Sequence, residues 1–212
     1  MHKEGMPRPA VRHLQRATRE AGQKPRSRLL DAATGVFLAQ GFAATSMTEI
    51  ATAADCFPSQ VSYYFRTKEA LFVEAACREL LHLGAAAEKA AADSQGRAAY
   101  VDALVNTVAP SPALLMMIEA IAISRRSPDL TAAIARTFER LHDEGARALA
   151  TEQSRRKWRG PDPAEASKRF WTLALGVSLR VAGTGGAAAT CAEELRIMFT
   201  AAPITNGRRS QR

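Results

Sequence analysis

Between Thr45 and Phe72 the chain reads Thr-Ser-Met-Thr-Glu-Ile-Ala-Thr-Ala-Ala-Asp-Cys-Phe-Pro-Ser-Gln-Val-Ser-Tyr-Tyr-Phe-Arg-Thr-Lys-Glu-Ala-Leu-Phe. This stretch constrains the fold more than any other. Two short helices that cross steeply need a small residue at the crossing, apolar anchors on their inner faces and a turn residue that tolerates positive φ. Ala51 is small, and Ile50, Ala54, Cys56, Val61 and Tyr64 fall at the inward positions. Asp55 stands where glycine is the easy choice, and Asp is one of the few other residues that enter the left-handed region. Ser46 and Glu49 have the spacing of a capping box, and Pro58 suits the first turn of the second helix. Phe57 is the one poor fit, because its side chain cannot cap.

The pattern is that of a helix-turn-helix running into a further helix, an arrangement able to lay its second helix in the DNA major groove. Outward residues near the start of that helix then face base edges: Ser59, Gln60, Ser62 and Tyr63, with Phe57 and Pro58 offering apolar surface to a thymine methyl. Gln60 has the donor and acceptor for bidentate pairing with adenine. Lys68, Thr45, Ser46 and Arg28 sit near helix starts where phosphates would be held, contacts that fix register without reading sequence.

The remaining periodicity is helical throughout. Leu29, Leu30, Ala33, Val36 and Phe37 recur every three or four residues up to Gly41, a left-handed stop. A fourth helix runs from near Thr67 toward Ala92, and a weaker one covers Arg97 to Val108. Ser111-Pro112, Ser127-Pro128 and Asp162-Pro163 then each open a helix, the last with Glu165 three residues on. Arg155 to Pro161 is expected as a solvated loop, and a final helix follows Gly186. Strand signals are absent. The expectation is an all-α chain of about nine helices, a three-helix head and a larger helical body.

From Arg28-Leu29-Leu30-Asp31-Ala32-Ala33 through Phe37, Gly41-Phe42, Thr45-Ser46, Ile50-Ala51, Val61, Tyr64-Phe65 and Lys68-Glu69-Ala70-Leu71, the chain resembles the DNA-binding domain of the TetR family of bacterial transcriptional regulators. The resemblance implies a homodimer that binds a palindromic double-stranded DNA operator. It also implies a C-terminal domain that dimerises and usually binds a small effector that weakens DNA binding. The sequence departs from the family pattern at Asp55 for glycine, Phe57 for a capping serine and Ser62 for a tyrosine. The expected organisation is a basic disordered arm over 1–23, the DNA-binding domain over 24–68, an effector and dimerisation domain over 69–202, and a disordered basic tail over 203–212.

Charge agrees with that organisation. Of the net +8, residues 1–28 contribute +6 and residues 203–212 contribute +3, which leaves −1 for everything between. Basicity belongs to the ends. A basic arm ahead of a DNA-binding head can follow phosphates and add salt-sensitive affinity with little base selectivity. Its alternative is a solvated tail serving solubility. Arg8, Arg12, Arg16 and Arg19 have helical spacing, so a helix on DNA is also open to it.

For the dimer, Leu173, Gly176, Val177 and Arg180 on the eighth helix and Leu195 and Phe199 on the ninth combine apolar bulk with a small residue that permits close approach. The two recognition helices of such a dimer must lie about 34–36 Å apart. For an effector pocket the candidates are Met116, Met117, Phe138 and Trp171, with Glu119 as a carboxylate inside an apolar run that could attract a cation. Plain core packing is the competing reading for the four apolar residues, and an ion pair or exposure for Glu119.

Other chemistry finds little support. His2, His13, His82 and His142 are scattered, with no metal-ligand spacing, and no nucleophile motif or cofactor fingerprint emerges. Cys56, Cys77 and Cys191 are an odd count at wide spacing, which argues against a disulfide framework and for a reducing cytoplasm. The longest apolar stretch, 113–123, is too short to span a bilayer. Two functions therefore stand: a ligand-responsive DNA-binding regulator, and an effector-independent architectural or interaction protein that binds DNA. An enzyme is a third, opposed by the missing catalytic constellation.

Overall fold

The computed structural model describes residues 10–158 and 160–200, with side chains from Pro25 onward apart from residues 188 and 198–200. Among them are nine α-helices and no strand: α1 Ala10–Ala44, α2 Met47–Ala53, α3 Pro58–Tyr64, α4 Lys68–Ala91, α5 Arg97–Val108, α6 Pro112–Ser124, α7 Pro128–Arg156, α8 Pro163–Gly183 and α9 Ala188–Thr200. The described chain divides into two compact units between Ala75 and Ala76.

The first unit, the head, is organised by its turns. Gly41, at φ +77°, ends the regular course of α1 in a conformation that costs a side-chain-bearing residue steric energy. Asp55 takes φ +50° between α2 and α3, as its place in the turn requires. The Ser46 capping box is fully formed: Ser46 Oγ accepts the Glu49 N–H at 3.2 Å, and Glu49 accepts the Ser46 N–H at 2.7 Å. These bonds hold the Glu49 carboxyl below the ordinary carboxylate range, the Ser46 backbone bond being the larger cause. Below the helices, Phe37 meets Phe72 edge-on at 4.9 Å and Phe42 lies 5.1 Å from Phe72. Ile50, Val61, Leu71 and Phe72 are almost wholly buried with them. Burial of each such side chain contributes about 1.5–3 kcal/mol.

Residues 10–23, part of the segment expected as a basic arm, continue α1, which begins at Ala10 and runs through Pro25. Residues 1–9 and the tail 203–212 lie outside the described residues.

The second unit, the body, packs α7 against α8, α8 against α9 and α6, and α5 against α9. Its proline-led starts behave differently from one another. Ser111 Oγ accepts the Ala113 N–H and Asp162 accepts the Glu165 N–H at 3.0 Å, whereas Ser127 makes no side-chain cap. The α7 helix ends at Lys157, which takes the left-handed conformation at φ +55°. Arg155 and Arg156 reach back to the Ala92 carbonyl at 2.6 and 3.0 Å, and both pair with the buried Glu152. The Arg155 hydrogen bond is the main reason the Glu152 carboxyl is held below its ordinary range.

Candidate nucleic-acid interface and effector cavity

α3 is amphipathic in the sense a recognition helix needs. Val61 is fully buried and Phe65 is 3% exposed, which fixes the helix to the head. Pro58, Ser59, Gln60, Ser62 and Tyr63 all face outward, Tyr63 at 80% exposure, with Phe57 at 76% just ahead of them. Two large aromatic side chains on the surface of so small a unit cost solvation free energy unless something covers them.

Two polar residues on this edge are already engaged. Phe57 offers no side-chain cap, and Gln60 compensates: its Oε1 accepts the Phe57 N–H at 3.1 Å. The amide nitrogen of Gln60 remains a donor, and its oxygen keeps a second lone pair. Ser62 Oγ leans back onto the Pro58 carbonyl at 3.3 Å.

The expected phosphate holders separate into two groups. Arg28 and Ser46 are exposed. Thr45 is 2% exposed, and its hydroxyl donates to the Gly41 carbonyl at 2.7 Å, so its side chain works inside the head, not at its surface. Lys68 is likewise drawn inward. Its ammonium donates to the carbonyls of Phe42 and Thr45 at 2.9 and 2.8 Å and lies 4.2 Å from the centre of the Phe42 ring. Lys68 thereby ties the end of α1 and the residue after it to the start of α4, the Phe42 carbonyl also accepting the Thr45 N–H at 3.3 Å. Nearby, Arg26 forms a bidentate pair with Glu74 at 2.5 Å while stacking over Phe65. Arg26 had no place among the expected site residues.

In the body, a cavity of about 50 Å³, partly open to solvent, lies among α4, α5, α7 and α8. Of the five expected pocket residues only Trp171 lines it. Met116 and Met117 are buried core on α6, Phe138 packs on His142 of its own helix, and Glu119 is exposed on the outer face of α6. The apolar run runs all round α6 and is only partly buried, Leu115 being 44% exposed, so position within it does not enclose Glu119.

The polar lining comes instead from Glu88, Arg97, Tyr100, Gln153 and Ser167. Tyr100, 3% exposed, donates its hydroxyl to Glu88 Oε2 at 2.6 Å. Burial pushes the Glu88 carboxyl above its ordinary range, with the Tyr100 bond opposing and the Glu152 charge adding to the rise. Tyr100 is itself pushed up, chiefly by burial. Trp158, in the segment expected as a solvated loop, covers Tyr100 edge-on at 5.7 Å. Glu88 could have been found in the sequence: it follows Leu80, Gly84 and Ala87 at helical intervals, on the inward side of α4.

The proposed dimer residues also divide. Gly176 and Arg180 are exposed and Leu173 is half-buried, but Val177 and Leu195 are 5% and 0% exposed and belong to the subunit's own core. The side chain of Phe199 lies outside those described. The apolar side chains that do face outward on α8 and α9 are Leu179 and Ile197, at 55% and 57% exposure. Arg180 pairs with Glu194 across the same two helices.

No group of His, Cys, Asp and Glu suited to a metal ion occurs among the described residues, and no single helix there is long and apolar enough to cross a membrane.

Comparison with known proteins agrees with this architecture. Residues 29–75 match the family of bacterial regulatory proteins, tetR family, and residues 97–199 match a bacterial transcriptional repressor C-terminal domain. A transcriptional regulator from Rhodococcus sp. RHA1 is similar over 82% of this chain and 93% of its own, with 31% identity and a TM-score of 0.74. A TetR-family regulator from Mesorhizobium loti MAFF303099 shares 22% identity over 84% of this chain and 94% of its own, with a TM-score of 0.65. A regulator from Saccharomonospora viridis, solved in complex with choline, shares 20% identity over 82% and 94%, with a TM-score of 0.58. A comparison with curated proteins finds no match. With a head built to present α3, a helical body and a relative of this identity and coverage, the chain belongs to the TetR family of DNA-binding transcriptional regulators.

Proposed function

We propose that this regulator is a cytoplasmic repressor that binds a palindromic operator as a homodimer and is released when a small effector enters the body cavity. The observation that carries the reading is the outward edge of α3 from Phe57 to Tyr63, held by the buried Val61. On this reading residues 24–68 form the DNA-binding domain and 69–202 the effector and dimerisation domain. Ser59, Gln60, Ser62 and Tyr63 meet base edges or sugars, and Arg28 and Ser46 meet phosphates. Gly176, Leu179, Arg180 and Ile197 form the twofold contact, with Leu173 at its margin.

Effector control draws on the cavity among α4, α5, α7 and α8. The choline-bound neighbour of the same fold favours a small ligand here as well. A ligand can release DNA only if it binds the DNA-incompetent arrangement more tightly, by its differential affinity for the two states. α4 carries Lys68 near one end and Glu88 near the other, so a shift of that helix is the natural carrier.

The test is selection of binding sites from random duplexes, followed by titration of the selected operator. Enrichment of a two-half-site palindrome bound in a salt-dependent manner supports the reading. Indifference to all duplexes at low ionic strength refutes it. Operator binding that no cavity ligand weakens would leave an effector-independent architectural protein.

A further inference from the structure

The body cavity is lined mostly by apolar and aromatic side chains, with Arg97 and Gln153 on it as well as Glu88, Tyr100 and Ser167. Ser167 is 7% exposed, and its Oγ has no hydrogen-bond partner among the described residues. A buried hydroxyl left unpaired costs about 1–3 kcal/mol. Glu88 uses Oε2 for the Tyr100 hydroxyl. Its other oxygen, Oε1, lies on the same recess as Ser167 Oγ: a Cβ placed on Gly145 would stand 3.8 Å from the one and 2.7 Å from the other. The slot that Gly145 leaves on α7 is filled by the Ser167 hydroxyl itself, with Glu88 Oε1 beside it.

The walls around the slot are aromatic. Trp171 stands edge-on to Phe170 at 5.4 Å, and Tyr100 and Trp158 form the second aromatic pair. A second hollow shares Glu88, Gly145 and Trp171. The nearby charges do not neutralise Glu88. Glu152 is committed to Arg155 and Arg156, and Arg97 on the rim is exposed, where solvent screens it.

Two acceptors, one of them a carboxylate, beside electron-rich ring faces form a recognition set for a positively charged donor. We propose that the cavity binds an amphipathic organic cation, its protonated amine donating to Glu88 Oε1 and Ser167 Oγ and its apolar body lying against Trp171, Tyr100 and Trp158. This rests on the effector reading above and adds the chemical class of the ligand.

Both tryptophans of the chain line this cavity, so intrinsic fluorescence reports its occupancy directly. The probes are 4-phenylbutylamine and its neutral and anionic counterparts, 4-phenylbutanol and 4-phenylbutyrate, titrated into the full-length protein at pH 7. The amine is expected to bind at least about tenfold more tightly than either, a difference typical of one charge-assisted hydrogen bond. Glu88→Gln, which keeps an acceptor for Tyr100, is expected to abolish that preference. Ser167→Ala, which removes the unpaired hydroxyl, is expected to lower amine affinity severalfold with the fold intact. Equal or tighter binding of the alcohol or the carboxylate, binding of none of the three, or an amine preference that survives both substitutions overturns the assignment. Adding operator DNA separates the two readings. An amine that binds with the operator complex intact refutes effector release while the cation site stands. Release by the alcohol or carboxylate alone does the reverse.

Discussion

Gln60 closes the first turn of its own helix, its Oε1 accepting the Phe57 N–H at 3.1 Å. The residue best equipped to read a base is thus also the cap that Phe57 cannot supply. The two roles can be separated by chemistry, because Glu retains the acceptor and loses the amide donor.

Gln60→Glu should therefore keep thermal stability near that of the parent while abolishing operator binding, since it sets a carboxylate among phosphates. Gln60→Ala should lose about 1 kcal/mol of stability with the cap and relax preference at one position in each half-site. Thermal unfolding and binding-site selection on the two variants check this. Unchanged selectivity in Gln60→Ala would confine the residue to capping.

Lys68 is expected to act on stability. Its ammonium satisfies the Phe42 and Thr45 carbonyls, and Lys68→Met leaves both without it. Hydrogen bonds to a charged group are worth about 1.5–3 kcal/mol, so a loss of that order is expected. The salt dependence of operator binding should stay the same. A slope reduced by about 1 would show that the same ammonium also neutralises a phosphate.

The outward apolar pair of α8 and α9 should govern assembly. Leu179→Arg and Ile197→Glu each place a charge where 55% and 57% exposed side chains stand in the single subunit. Both should shift the protein toward monomer in analytical ultracentrifugation and weaken operator binding in parallel. Val177→Ala instead opens a core cavity, and should cost about 0.5–1.5 kcal/mol of stability without a specific effect on association. A monomeric parent protein at micromolar concentration would remove this interface altogether.

Glu88 gives a signed pH effect. Its folded carboxyl titrates above the ordinary 4.5, so between that value and the raised one the folded state binds more protons than the unfolded state. Its contribution to stability is therefore full at low pH and is lost as pH rises through the folded value. Glu49 works in the opposite sense, its contribution present above 4.5 and lost as pH falls through its lowered value. Glu88→Gln should raise stability at pH 7 relative to acid, measured as the midpoint of urea unfolding across pH. A parallel pH profile in parent and variant would refute the burial of charge.

What the sequence determined by itself was local. The Ser46–Glu49 box, the positive φ at Gly41 and Asp55, the inward Ile50 and Val61 and the outward Ser59 to Tyr63 all follow from near-neighbour chemistry, legible because each requirement falls within four residues. The helix starts at Pro112, Pro128 and Pro163 were legible for the same reason. Only the tertiary structure decided what depends on which helices meet. Lys68 turned inward because the carbonyls it serves are 23 and 26 residues away. The cavity assembled around Glu88, Tyr100, Trp158 and Ser167, from four separate segments, and Glu119 fell outside it. Val177 and Leu195 were claimed by the core, leaving Leu179 and Ile197 to the surface. Periodicity identifies a buried stripe but not what buries it, and that partner is a property of the packed chain.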